Sequence, residues 1–574
     1  MGVSECTPGG RGQVRQLTTR AGVASVTLLA AASLAVGGCA SSTRNAGAPN
    51  CTTKHGAAGA ASSGPSGSVS PGVAASWTLP GGNLQNTRDV ASAITASDVA
   101  QLGVAWCVPI ESTGDAGSAE VTDGYSTTPV VVNGVVYTQD MESNVVAIKL
   151  ATGKVLWTHN YSSPNGGPDG VNVANGVVYA ATDKAAVALS AATGRQLWSR
   201  TLIGNNHEGI DMAPGYHDGT VYVSTVPVNP TVGEYLGGGK GILWALNART
   251  GAPEWSFDEV GNLWGDSAVN SGGGLWDPPS FDAQGNLYLG IANPGPIGEN
   301  GWPKGYPWGT SRPGPDLYTD SVVKLSPQGK LLWYYQLTPH DLYDWDLQNS
   351  PVLTTAHGQP VVIDGGKAGI LIELSAQTGK LLWKLPVGVH SGHDNDGLLT
   401  EHATPASHFT LPAKFNLEPG AFGGIETQLA TSGTTVFAAV NDLGIPMTVA
   451  GAAESSKEFV ASIGKATGQM VAVNVDTGKV IWDDKLPSSP YGAATVTNGV
   501  VFTTTYSGYL YALNAATGAV LLKTPLSSGC NAPVAIDGSY VITGAGVQLP
   551  KPDKQLIIAF KLGAHGKLPD TVAP

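Results

Sequence analysis

The chain has 574 residues, only 13 % of them charged, with 77 glycines and a formal net charge of −13. That balance excludes the basic surface that phosphate contacts require, so nucleic acid is not an expected partner. So much glycine with so few charges points to one large, turn-rich β domain rather than several small ones.

In chain order, residues 1–39 read as a targeting segment. Arg11, Arg15 and Arg20 form a basic start, and residues 21–34 are apolar but too short to span a bilayer. Val36-Gly37-Gly38-Cys39 resembles a bacterial lipobox. That resemblance implies an exported lipoprotein with Cys39 lipidated, held at the outer face of the cell membrane or in the periplasm. An ordinary signal peptide with an incidental cysteine is the alternative. Residues 40–75 are Ser, Gly, Ala and Pro with few large apolar side chains, the composition of a disordered tether. Once Cys6 is removed and Cys39 lipidated, Cys51, Cys107 and Cys530 remain. One bridge suits an oxidising compartment, with the pairing open. No Cys-x-x-Cys-His haem attachment string is present.

A repeat organises the rest of the chain. Thr152–Trp157 reads TGKVLW, Thr193–Trp198 TGRQLW, Thr250–Trp255 TGAPEW, Gly329–Trp333 GKLLW, Thr378–Trp383 TGKLLW and Thr477–Trp482 TGKVIW; Thr517–Leu522 is a worn copy, TGAVLL. Thr-Gly makes a hairpin turn because Gly accepts a positive φ, and the β-branched runs around it are strands. The Trp ends the outer strand, where its ring can cover the seam with the next unit. The shortest steps, Trp157 to Trp198 and Trp482 to Leu522, are about 40 residues, the period of a four-stranded propeller blade. With Trp106, which lacks a preceding turn, there are eight anchors and hence eight blades. The C-terminal strands lack an outer partner, so the strand ending at Trp106 is expected to close the last blade and leave no open sheet edge. The propeller then spans residues 76–562, with a tail at 563–574. Two irregular insertions, at about 294–320 and 390–466, fall in the widest gaps; the second carries the polar run His390 to Gly397, HSGHDNDG. Loops of that length in a tight repeat are usually functional.

The TGK-x-x-W repeat resembles the tryptophan-docking motif of quinoprotein dehydrogenases, eight-bladed enzymes that use pyrroloquinoline quinone (PQQ). Trp77–Trp106, with GGNLQNTR, resembles that family's leading segment. On this resemblance Gly272–Asp277 (GGGLWD) places Trp276 as the floor under the quinone, and Asn293 (GIANPGP) as a metal ligand. Thr338–Asp346 (TPHDLYDWD) supplies Asp344 as catalytic base. Asp346 is an extra acid found in members preferring a lanthanide over calcium. Lys367 (GGKAGIL) matches the basic residue beside the quinone carbonyl, and Glu234 (VGEYLGG) is the candidate metal carboxylate. The types suit metal-assisted hydride transfer from a small hydroxylated substrate: a carboxylate can take a hydroxyl proton, and an amide oxygen suits a hard cation. A cytochrome or quinone is the implied separate electron acceptor.

Departures from the pattern cluster on the cofactor clamp. Ser126 stands where the family has Glu, the second-blade Arg is absent from PDGVNVANGVVY, Asp211 stands where Thr is usual, and no adjacent cysteine pair exists. An Asp facing an acidic cofactor repels it unless protonated or metal-paired. The expected reading is an exported PQQ-dependent alcohol dehydrogenase. The alternative is a non-catalytic propeller lipoprotein serving as a protein-binding or envelope-assembly platform.

Overall fold

The computed structural model describes residues 76–110, 125–165, 167–204, 207–229, 233–234, 238–295, 312–400, 414–448, 451–452, 463–547 and 555–572. The leader, Cys39 and the tether lie outside them. Among the described residues no helix is long and apolar enough to cross a membrane.

Eight four-stranded antiparallel sheets follow one another as blades, at residues 130–159, 172–201, 215–258, 280–336, 352–386, 430–486 and 495–525, with the eighth at 535–562. The strand Leu102–Pro109 completes this last blade, pairing antiparallel with Leu556–Leu562 from Leu102↔Leu562 to Pro109↔Leu556. In most blades the second and third strands are buried nearly end to end, as in Val187 and Leu371, because each inner sheet has a neighbour on both faces. Outer strands instead alternate exposed and half-buried residues.

Tryptophan docking closes seven seams. The ring of Trp106 lies on Gly153 of the next blade, Trp157 on Gly194, Trp198 on Gly251, Trp255 on Gly329, Trp333 on Gly379, Trp383 on Gly478 and Trp482 on Gly518. Each glycine has φ between +63° and +76°. A Cβ there would sit 2.5–2.8 Å from the indole, so the residue must be glycine for both reasons. Each indole N–H donates to a carbonyl of that next turn, for example Trp157 Nε1 to Ala191 O at 2.9 Å. At the eighth seam Leu522 replaces Trp, and the outer strand Val520–Pro525 packs on the short 3-10 turn Val99–Gln101.

The leading segment strings blades together. Carbonyls of Leu84, Gln85, Thr87 and Arg88 accept from Phe281, Leu353, Thr431 and Val496, on blades four to seven. The fully buried Arg88 donates to Ala494 O, Pro80 O, Val534 O and Thr495 Oγ1, which satisfies a guanidinium that burial alone would make costly.

One expectation needs correction. The second insertion is not a single excursion over 390–466. Ala430–Ser432 and Thr435–Asp442, the first two strands of blade six, run through its middle. They read as irregular because no TGK-x-x-W string flags them, yet they are buried nearly end to end between blades five and seven. What remains on either side forms a small three-stranded sheet of Lys414–Leu417, Ile445–Thr448 and Gly451–Ala452. Cys107 is disulfide-bonded, with its partner outside the described residues, while Cys530 is a buried free thiol.

Candidate active site

Three glycines, Gly272 to Gly274, all at positive φ, carry the chain to Trp276. A Cβ on Gly272 would strike Pro294 and Gly295, and one on Gly274 would strike Val226. The segment is bound to the Asn293 strand end through Gly273 N to Asn293 O (2.8 Å) and Ala292 N to Gly274 O (3.0 Å). Asn293 N in turn donates to Asp346 Oδ1 at 2.7 Å. Lys367 N donates to Asp346 O at 3.0 Å, an approach that leaves no space for a side chain on Gly366. Close backbone packing therefore gathers residues that are far apart in the sequence.

The side chains converge as well. Lys367 Nζ sits 3.2 Å from Asp344 Oδ2 and bonds Asp346 Oδ2. It also lies 5.8 Å from the ring centre of Trp276 and 5.3 Å from that of Phe422. Burial pulls the ammonium pKa down, but Asp344, Asp346 and Glu426 outweigh that and leave it well above its ordinary value. Asp346 is fully buried; Asp344 keeps some exposure and adopts φ +63°, the left-handed region, between buried Tyr343 and Trp345. A non-glycine residue held there is often part of a site. Asp341 secures the turn by accepting from Tyr343 N and Trp345 N, both at 2.9 Å.

Trp276, Asn293, Asp344, Asp346 and Lys367 thus come together as the sequence pattern implied. Glu234 lies in the two-residue strand Gly233–Glu234, paired with Val228–Asn229, and its side chain is outside the described residues. Asp211 contacts a different neighbour: its carbonyl accepts from Asp169 N at 3.0 Å. Burial, with Asp211 and Asp140 beside it, pushes the Asp169 carboxyl well up. Ser126 Oγ faces Met141 and the Pro168 carbonyl. Ser126, Asp169, Arg88 and Asp277 line an axial cavity of about 20 Å³, enough for a water or two and far too small for a tricyclic ring.

Sequence reasoning missed several neighbours. Glu259 is fully buried, accepting from Ser224 Oγ (2.7 Å) and from Gly274 N (2.6 Å), the latter two residues before Trp276. Asp320 is bonded through its backbone to Ala292 O and has a buried carboxylate that Asp341 and Asp346 push toward the neutral form, after burial itself. Neither stands in a motif; only the fold places them.

The metal end fits the residues present. Asn293 Oδ1 is buried without a hydrogen-bond partner, its own N–H is on Asp346, and Asp346 shares Lys367 with Asp344, a donor set suited to a hard cation. Among the described residues alone, no group of three His, Cys, Asp or Glu side chains forms a metal cage. The half-buried Trp276 with Lys367 beside it fits the floor and carbonyl end of PQQ. The carboxylate end does not fit an anion clamp: Ser126 and the Asp169–Asp211 pair bring no positive charge to it, and Arg88, which lines the same cavity, is committed to Ala494, Pro80, Val534 and Thr495.

Fold and site together define a quinoprotein-type propeller: eight docked blades around one lysine–aspartate cluster over a tryptophan. The profile described as glucose/ethanol/alcohol dehydrogenase, beta-propeller domain, matches residues 77–183 and 216–414, just over half the chain, which therefore belongs to that family. A profile for outer membrane protein assembly factor BamB matches 142–272 and 466–560. The chain is 28 % identical over 541 residues to a quinohemoprotein alcohol dehydrogenase of Comamonas testosteroni, covering 82 % of this chain and 71 % of that one. It is 27 % identical over 383 residues to the quinone alcohol dehydrogenase subunit of Gluconobacter oxydans, covering 58 % of this chain and 47 % of that one. A solved quinohemoprotein alcohol dehydrogenase of Pseudomonas putida superposes with a TM-score of 0.73 at 22 % identity, covering 87 % of this chain and 82 % of the other.

Proposed function

We propose that the protein is an exported PQQ-dependent dehydrogenase that oxidises an alcohol or a related hydroxylated small molecule. The single observation carrying this reading is the Asn293–Asp346–Lys367–Asp344 network beside Trp276. In this reading Asp344, strained and partly exposed, takes the substrate hydroxyl proton. Lys367 holds that carboxylate in place and keeps positive charge where electron density collects. Asp346, locked from both sides, adds negative charge that favours a trivalent ion over calcium. Asn293, Asp344 and Asp346 would hold the ion, with Glu234 as a further carboxylate. PQQ, when bound, supplies the two-electron acceptor, and a separate cytochrome or quinone takes the electrons onward. Anchoring at Cys39 would keep the enzyme at the membrane surface.

The acidic clamp favours the second reading, a binding platform without turnover. Purified protein is therefore reconstituted with PQQ plus calcium or a lanthanide and assayed by absorbance and dye reduction with primary alcohols. Turnover that falls by about a hundredfold or more in Asp344→Asn supports the enzyme reading. Wild-type protein that retains no PQQ, or retains it without turnover, overturns it in favour of the platform.

A further inference from the structure

The polar run His390–Gly397 has no part in the site as described, yet it grips the loop that carries Asp344. Tyr343, immediately before Asp344, donates its hydroxyl to Asp396 Oδ2 at 2.6 Å. His393 Nδ1 meets the same oxygen at 2.7 Å. Asp396 is buried, so this shared carboxylate oxygen is screened from water. The His393 ring stacks on Phe415 at 4.0 Å, and Phe415 meets the Tyr343 ring edge-on at 6.2 Å. On the other side of Asp344, Trp345 Nε1 donates to Pro419 O at 3.1 Å. Both flanking residues are thus tied to the insertion before blade six, while Asp344 itself is left to face Lys367.

The space behind the loop makes these ties matter. A cavity of about 80 Å³, room for several waters, is lined by residues 338–343 and Trp345 on one side and by Asn395, Gly397 and Leu398 on the other. Gly397 touches the His340 carbonyl and Tyr343 and Trp345 pack into the core, so the hydrogen bonds to Asp396 and Pro419 add direction to a contact that is packed in part and hollow in part. The left-handed backbone of Asp344 is a conformation that persists only where its surroundings impose it.

We propose that His393, Asp396 and Tyr343 form a positioning clamp that sets the backbone, and hence the carboxylate, of Asp344. They touch neither substrate nor cation; they act through the loop. This deepens the reading of Asp344 as base and rests on it. Asp396→Ala cuts both ties and Tyr343→Phe removes a single oxygen, so the second variant keeps the test open if the first does not fold. Amide exchange is measured in the full chain, together with alcohol turnover after PQQ and metal loading. In Asp396→Ala, exchange at residues 341–347 should rise at least tenfold while the closing strand Leu556–Leu562 keeps wild-type protection. The turnover number should fall by about ten- to a hundredfold with KM within twofold, as for a misplaced catalytic group. Asp396→Asn, whose carbonyl can still accept from Tyr343, should recover part of both. Wild-type loop exchange and wild-type turnover in Asp396→Ala and Tyr343→Phe would overturn the clamp. Faster loop exchange with no wild-type turnover would uphold the clamp and count against the proposed activity alone.

Discussion

Glu259 gives the sharpest test of the wall behind Trp276. Its carboxyl is pushed up to about 8, chiefly by burial, with Ser224 and Gly274 only partly offsetting this. The surrounding bonds suit a neutral acid: one oxygen accepts from Gly274 N, while the Ser224 hydroxyl can turn its O–H to Thr225 O at 2.8 Å and accept from a protonated Glu259 instead of donating to it. Below about pH 4.5 the group is protonated both folded and unfolded, and contributes no pH dependence. Between about 4.5 and 8 the unfolded chain binds fewer protons than the folded one, so stability falls as pH rises. At about 1.4 kcal/mol per pH unit, the loss reaches roughly 5 kcal/mol by pH 8, as an upper bound. Glu259→Gln is isosteric and neutral, and its amide can donate to Ser224 while its carbonyl accepts from Gly274. Its thermal midpoint should match wild type near pH 5 and exceed it by up to about 5 °C at pH 8, taking an unfolding entropy of roughly 1 kcal/mol/K for a domain of this size. The measurement is calorimetry of both proteins from pH 5 to 8. A difference that stays constant with pH, or a variant less stable at pH 8, would refute the neutral assignment.

Two further outcomes test the disc itself. Gly194→Ala puts a Cβ 2.6 Å from the Trp157 ring at φ +69°, whereas Gly134→Ala, at φ +73°, meets nothing within 4 Å. The first should lower stability by about 1–3 kcal/mol more than the second, the difference being seam packing rather than backbone strain. Deleting residues 98–107 removes most of the strand that pairs with Leu556–Leu562 and undocks Trp106 from Gly153, so it should abolish cooperative folding of the whole disc; thermal unfolding unchanged from wild type would show that closure is not required.

How much of the protein is legible in its sequence depends on the range of the forces involved. Turn glycines, docking tryptophans and β-branched runs act over a few residues and repeat, so the eight blades, their seams and the closing strand were legible. So was the meeting of Trp276, Asn293, Asp344, Asp346 and Lys367 in one place, because each sits in a short string with its own local geometry. The first two strands of blade six were not, since they lack the flagging turn and are recognisable as strands only once flanked by blades five and seven. Glu259, Asp320 and the His393–Asp396–Tyr343 contact were equally invisible. Each depends on burial or on bonds between segments that meet only in the folded disc, 50 residues apart or more in the case of Tyr343 and His393. The residue types are fixed by the sequence. Which carboxylate faces Lys367, which faces a neighbouring acid and which holds a tyrosine is decided by the radial packing of the blades, because position in the disc sets desolvation and partner together.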